Sequence, residues 1–105
     1  MEVKETLDNN FKDEILSADK AIVKYYADWC GSCRLFNPKY KRLASDDRFE
    51  GITFLNVNAE ENQEARKMAG VTNLPFFAIF AEGKLVDTMA SSKEEAVVEL
   101  LNKLK

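Results

Sequence analysis

The sequence has no histidine and only two cysteines, and these shortages exclude several classes of protein. A four-ligand zinc site within one chain would need further cysteine or histidine ligands. A disulfide-stabilised scaffold would need several cysteine pairs spread along the chain. A metal site shared between two chains stays open as an alternative to a chemically active cysteine pair.

Long apolar runs and an excess of positive charge are also absent. No run approaches the roughly 18 apolar residues of a membrane-spanning helix. Charged residues (Glu2, Lys4, Glu5 and Asp8) interrupt the stretch where a signal peptide would lie. The formal net charge of −3 lacks the clustered positive field that binds phosphates. We therefore expect a cytoplasmic protein that has neither a membrane nor a nucleic acid as its partner.

The chain has 105 residues, of which 46% are hydrophobic, so it can form one core but is too short for two domains. We therefore expect a single domain over residues 1–105. Apolar and β-branched runs predict five strands, over residues 3–6, 21–27, 52–57, 76–80 and 85–89.

Apolar residues at helical spacing predict four helices between these strands and after the last one. The first is capped by Asp8, Asn9 or Asn10, the second follows the cysteines, and the third spans residues 60–69. The fourth begins at a capping box formed by Ser92 and Glu95. Strand–helix alternation followed by a hairpin predicts an α/β fold with a mixed sheet and helices on both faces.

The two cysteines lie two residues apart in Trp29-Cys30-Gly31-Ser32-Cys33, between a predicted strand and a predicted helix. A thiolate, not a thiol, attacks a disulfide, and the start of a helix favours negative charge there. Gly31 and Ser32 keep the turn small, so the two sulfurs can close on each other. The pattern predicts disulfide exchange, with Cys30 as the nucleophile and Cys33 as the resolving thiol. The alternative is that both cysteines are small buried residues without chemistry.

Further motifs make the chain resemble the thioredoxin family from about Leu7 to the C-terminus. These motifs are residues 27–33, Pro38 five residues after Cys33, residues 70–75 ending in Pro75, and Gly83 in the predicted hairpin. The resemblance implies the thioredoxin fold, a central mixed sheet of four to five strands flanked by four helices. It also implies a cis bond before Pro75, where the residue pattern alone favours a trans proline at an edge strand.

The resemblance further implies a substrate groove beside the cysteines, in which the backbone of Leu74 pairs with an extended substrate segment. The residues implied for substrate binding are Trp29, Gly31, Ser32, Leu74, Pro75 and Ala90. Phe76 and Ala90 stand where threonine and glycine are common, which predicts a bulkier and more apolar rim. Ordinary core packing is the alternative for Phe76.

Two other departures lie close to the cysteines in the sequence. Ser32 stands where the family usually has proline, which loosens the turn and predicts a less reducing potential. Lys24 replaces a buried aspartate, and Phe54 is expected in the place of a lysine that often accompanies that acid. Lys24 either extends its ammonium group to water, or lies beneath the motif with a lowered pKa and favours thiolate.

The expected activity is that of a thioredoxin-type oxidoreductase that reduces protein disulfides as a monomer. It needs no bound cofactor, because the electrons travel on the Cys30–Cys33 pair. The resemblance implies an NADPH-dependent flavoprotein reductase as a second partner. The alternatives are a redox-inactive binding subunit that uses the same groove, and a disulfide oxidase or isomerase.

Overall fold

The computed structural model describes residues 2–105 as an alternation of strands and helices. The strands β1 to β5 span Val3–Glu5, Lys20–Tyr26, Thr53–Asn58, Phe76–Ala81 and Lys84–Ala90. The helices α1 to α4 span Asp8–Ser17, Gly31–Ala44, Gln63–Ala69 and Glu94–Asn102. The predicted order of elements is confirmed, including the short first strand.

The five strands form one mixed sheet in the order β1-β3-β2-β4-β5. β3 is parallel to both β1 and β2, whereas β4 is antiparallel to β2 and to β5. Strand β2 occupies the centre, and its residues from Ala21 to Tyr25 are buried. A central position explains why its sequence is an almost continuous apolar run. The strand delivers the chain to the cysteine motif at its carboxyl end.

Helices cover both faces of the sheet, with α2 and α4 on one side and α1 and α3 on the other. Alternate residues of β2 serve the two layers, because successive side chains of a strand point to opposite faces. Ile22 packs in the α2–α4 layer, whereas Val23 and Tyr25 pack in the α1–α3 layer. Lys24 therefore faces α2. The aromatic residues predicted to be in the core are all buried, namely Phe11, Phe36, Tyr40, Phe77 and Phe80.

Helices α1 and α3 begin differently from the prediction. Leu7 occupies the N-cap of α1, and the side chain of Asn10 accepts a hydrogen bond from the Leu7 amide at 2.9 Å. Asp8 caps the other helix, because its carboxylate accepts from the amide of Ala65 at 2.9 Å. Asn62 Oδ1 accepts from the Asp8 amide at 2.8 Å. The starts of the two helices therefore cap each other. Helix α3 begins three residues later than predicted.

The predicted capping box at the start of α4 is wrong. Lys93 occupies the N-cap, and its side chain makes no capping hydrogen bond. The cause is a shift of one residue, because the third helical position then falls on Ala96, which has no acceptor. Ser91 accepts from the Lys93 amide at 3.1 Å instead. Between residues 2 and 105, no helix has the length and apolar character needed to cross a membrane.

Candidate active site

Cys30 and Cys33 form a disulfide at the junction of β2 and α2, with their Cα atoms 5.3 Å apart. Cys30 is the N-cap of α2, and its Sγ accepts a hydrogen bond from the Cys33 amide at 3.2 Å. Cys30 is 5% exposed and Cys33 is 2% exposed. An amide and a helix N-terminus directed at a sulfur stabilise negative charge on it, so the position suits a thiolate at Cys30.

The residues between and after the cysteines leave the front of the motif open. Gly31 is exposed at the first position of α2, with open space around the site of a side chain. The hydroxyl of Ser32 lies 3.5 Å from Cys30 Sγ, within hydrogen-bonding range of the sulfur. Arg34 donates to the carbonyl of Asp28 at 2.9 Å, so its guanidinium group is held against the preceding loop.

A shallow groove of about 240 Å³ lies beside the motif, between the start of α2 and the ends of β4 and β5. Ser32 lines one side, Leu74 and Pro75 line the other, and Ala90 forms part of the rim. The bond between Leu74 and Pro75 is cis, which confirms the prediction. Leu74 also packs against the cysteine pair. Four of the residues predicted to bind substrate are thus brought together along one groove.

Two aromatic residues near this groove have different surroundings. Trp29 is 69% exposed, next to the disulfide. Phe76 is buried, and its ring lies 6.3 Å from that of Tyr25 in the core between the sheet and α1 and α3. The predicted contribution of Phe76 to the rim is therefore wrong, because its side chain is buried in this core. Ala90 pairs with Phe76 in the sheet and is exposed, as expected of a rim residue.

Lys24 is buried beneath α2, with 1% of its surface exposed. Its Nζ donates a hydrogen bond to Asn37 Oδ1 and lies 5.6 Å and 5.3 Å from the ring centres of Tyr26 and Tyr40. Burial lowers the pKa of Lys24 from 10.5 to about 8. The interpretation that its ammonium group extends to water is therefore wrong, and the burial and the direction of the pKa shift agree with a position beneath the motif. Its effect on the thiols stays a prediction.

The strand next to Lys24 corrects another prediction. Lys24 pairs with Asn56 of β3, whereas Phe54 pairs with Ile22 and lies in the apolar core. The expected place of Phe54 is therefore wrong, because strand register depends on pairing across the sheet. The Asn56 Oδ1 is buried and has no hydrogen-bond partner among residues 2–105.

Glu5 of β1 completes the polar surroundings of Lys24. The hydroxyl of Tyr26 donates to Glu5 Oε2 at 2.6 Å. Burial raises the pKa of Glu5, and the positive charge of Lys24 opposes that rise. Sequence reasoning missed Glu5, Tyr26 and Asn37 as neighbours of Lys24. Asn37 alone carried a signal, since it lies four residues after Cys33 and hence on the same side of the helix.

A second cavity, of about 160 Å³, borders the disulfide and shares no lining residue with the groove. Both cysteines line it, together with Tyr26 and Asn37, two of the three residues that contact the Lys24 ammonium group. Asp28 and Arg34 also line this cavity. No group of three histidine, cysteine, aspartate or glutamate side chains in the described part of the chain is arranged to hold a metal ion.

Comparisons with known proteins agree with this geometry. The thioredoxin family model matches residues 2–103. The chain is 37% identical over 90 residues to a thioredoxin of Chlorobaculum thiosulfatiphilum, which covers 84% of this chain and 82% of that protein. It is 30% identical over 105 residues to a thioredoxin of Porphyra purpurea, covering 98% and 97% of the two chains.

Solved structures also resemble this chain. The oxidised thioredoxin of Plasmodium falciparum has a TM-score of 0.86 at 26% identity, and the match covers 96% of each chain. The short form of thioredoxin f from spinach chloroplast has a TM-score of 0.90 at 24% identity, covering 98% of this chain and 93% of that one. The redox-inactive alternative is not favoured, because the cysteine pair is intact and joined. The chain belongs to the thioredoxin family, whose members act on disulfides, and it is a thiol–disulfide oxidoreductase.

Proposed function

We propose that the protein reduces disulfides in other proteins, with Cys30 as the attacking thiolate and Cys33 as the resolving thiol. The observation that carries this assignment is the hydrogen bond from the Cys33 amide to Cys30 Sγ at the start of α2. That bond and the helix dipole favour a thiolate at Cys30. Cys33 is the third residue of α2 and not its N-cap.

The exchange then has two steps. The Cys30 thiolate attacks one sulfur of the target disulfide, and the other target sulfur leaves as a thiolate and takes a proton from water. Cys33 loses its proton and attacks Cys30 Sγ, which breaks the mixed disulfide and releases the second target sulfur. The products are a target dithiol and the Cys30–Cys33 disulfide, so no cofactor is needed in the step itself.

We assign substrate binding to the groove and to the exposed surface next to it. Leu74 and Pro75 offer backbone groups to an extended segment, and Ser32 and Ala90 border the groove. Trp29 and Gly31 are exposed beside the disulfide and complete this surface. Lys24 is assigned to the opposite side, where its positive charge favours thiolate over thiol in the reduced pair.

The protein is proposed to act as a cytoplasmic monomer formed by one domain, and to be reduced again by an NADPH-dependent flavoprotein. One similar structure is a complex of thioredoxin f2 with ferredoxin:thioredoxin reductase. A ferredoxin:thioredoxin reductase is therefore the second candidate for the electron donor. Reduction of the oxidised protein with each purified reductase would distinguish the two.

The assignment of the cysteines is tested by insulin reduction with dithiothreitol as the electron source. Wild-type protein is expected to accelerate precipitation of the insulin chains, and Cys30→Ser is expected to fall to the rate without protein. Cys33→Ser should form a stable mixed disulfide with the target, visible by mass spectrometry. A Cys30→Ser variant that retains activity, or a mixed disulfide at Cys33 in that variant, would contradict the assignment.

A further inference from the structure

The Lys24 ammonium group is held in place from the helix side by one polar side chain, that of Asn37. The two other close groups are the rings of Tyr26 and Tyr40, which attract a cation through their faces but set no hydrogen-bond direction. Asn37 Oδ1 accepts a hydrogen bond from Lys24 Nζ. The amide therefore decides where in this space the positive charge lies.

Asn37 also faces the disulfide. It lines the cavity of about 160 Å³ whose walls include Cys30 and Cys33. Its position one helical turn after Cys33 places Asn37 on the same side of α2 as that cysteine. Lys24 is itself 1% exposed, so water screens its charge less than it would screen a charge on the surface.

We propose that Asn37 is a positioning residue for disulfide exchange: it holds the Lys24 ammonium group against the cavity behind the disulfide, where the cation stabilises the thiolate of the reduced pair. The proposal rests on the proposed function and adds a residue to it. Asn37 touches neither sulfur in this arrangement, and acts through Lys24.

The other charged and titratable groups around Lys24 leave this role intact. Glu5 approaches from β1 and favours the charged form of Lys24, whereas Lys41 of α2 opposes it. Tyr40 of α2 donates its hydroxyl to backbone carbonyls, at 2.8 Å to that of Leu55. Asp28 and Glu61 act on Glu5 and Tyr26, at the outer end of the cluster.

The redox consequence follows from the balance of the half-reaction. The Cys30–Cys33 disulfide takes two electrons and one proton from a dithiol reductant and becomes one thiolate and one thiol. A cation that stabilises the thiolate favours the reduced form, so the protein becomes a weaker reductant. Removing Asn37 lets the cation move away from the cavity and should make the protein more reducing.

The test is a double-mutant cycle on the equilibrium with glutathione, using Asn37→Ala, Lys24→Met and the double variant. We expect Asn37→Ala to shift the equilibrium constant about three- to tenfold towards the disulfide, tenfold being ~30 mV. Lys24→Met should shift it in the same direction, and the double variant should match Lys24→Met. The thiolate absorbance of the reduced protein should titrate at higher pH in all three.

Two further variants exclude a merely structural role. Asn37→Asp keeps an acceptor for Lys24 but adds a negative charge, so it should remain more reducing than wild type, whereas a structural role predicts the wild-type value. Asn9→Ala, at an exposed position of α1, is the matched control and should change nothing.

An unchanged equilibrium in Asn37→Ala, or the same Asn37→Ala shift in the presence and absence of Lys24, would overturn the proposal. If Lys24→Met does not fold, the comparison of Asn37→Ala with Asn37→Asp decides it, because Asn37 is exposed and both variants leave the core intact. The measurement uses no protein substrate, so a failure to reduce insulin would count against the proposed function alone.

Discussion

The two sides of the disulfide differ in chemistry. The groove on the front is lined by neutral residues, among them Ser32, Leu74 and Pro75, and it opens to solvent. Behind the disulfide lies a smaller cavity whose inner wall contacts a buried cation, Lys24. The groove beside the motif therefore has an uncharged lining, whereas the cavity that the two cysteines line adjoins a buried positive charge.

This difference assigns substrate recognition to the groove and control of the redox equilibrium to the buried charge. A neutral, open groove can accept the backbone of many extended substrates, since main-chain hydrogen bonds carry little sequence information. A buried charge contacts no substrate, but it changes the relative free energies of thiol, thiolate and disulfide. Substitutions behind the disulfide should change equilibrium properties, and substitutions in the groove should change the rates with protein substrates.

The largest effect is expected from the cost of burying the Lys24 charge. The pKa of Lys24 is about 8 in the folded chain and near 10.5 when exposed, so the unfolded chain binds more protons between these values. The free energy of unfolding should therefore rise with pH through this window. Lys24→Met should be more stable than wild type at neutral pH, by about 2–3 kcal/mol, and should lack the rise. Urea denaturation at several pH values measures both.

Two comparisons show whether the rise in stability with pH comes from Lys24. Burial raises the pKa of Tyr25, Tyr26 and Tyr40, which lowers stability above about pH 10 in wild type and variant alike. The difference between the two proteins thus isolates Lys24. Lys12→Met, at an exposed position of α1, should keep the wild-type pH profile. A Lys24→Met protein with the same rise would show that another group causes it.

An effect of intermediate size is expected from blocking the groove. Ala90→Trp places a large ring at the rim of a groove of about 240 Å³. The rate of insulin reduction should fall about tenfold, or ~1.4 kcal/mol, while the equilibrium with glutathione should stay unchanged. Glu99→Trp, on the exposed side of α4, serves as the control. A shift in the glutathione equilibrium of Ala90→Trp would contradict the separation of the two sides.

The smallest effect is expected at Ser32, which lies between the two cysteines and also lines the groove. Ser32→Pro removes a backbone N–H and stiffens the turn, so the protein should become more reducing by up to ~30 mV. Ser32→Ala separates the turn from the hydroxyl that lies 3.5 Å from Cys30 Sγ. An equal shift in Ser32→Ala would assign the effect to the hydroxyl and not to the turn.

The fold and the front of the site could be predicted because their signals are local or motif-based. Three signals can each be recognised from a few consecutive residues: the apolar run of β2, the spacing of the cysteines and the segment that ends in Pro75. Asn37 and Glu5 could not be predicted as neighbours of Lys24, because they come from a helix and another strand and meet it only after the sheet has formed. Phe54 was misplaced for the same reason, since strand register depends on pairing across the sheet.

The sequence by itself determined the order of elements, the thioredoxin-type cysteine motif and its place at a helix start, because hydrophobic period and residue spacing act along the chain. Only the tertiary structure decided whether Lys24 reaches water. Its side chain is long enough to do so, and α2, Tyr26 and Tyr40 close over it when the layers pack. Burial of a charge depends on what lies above it, and that is set by contacts between elements distant in sequence.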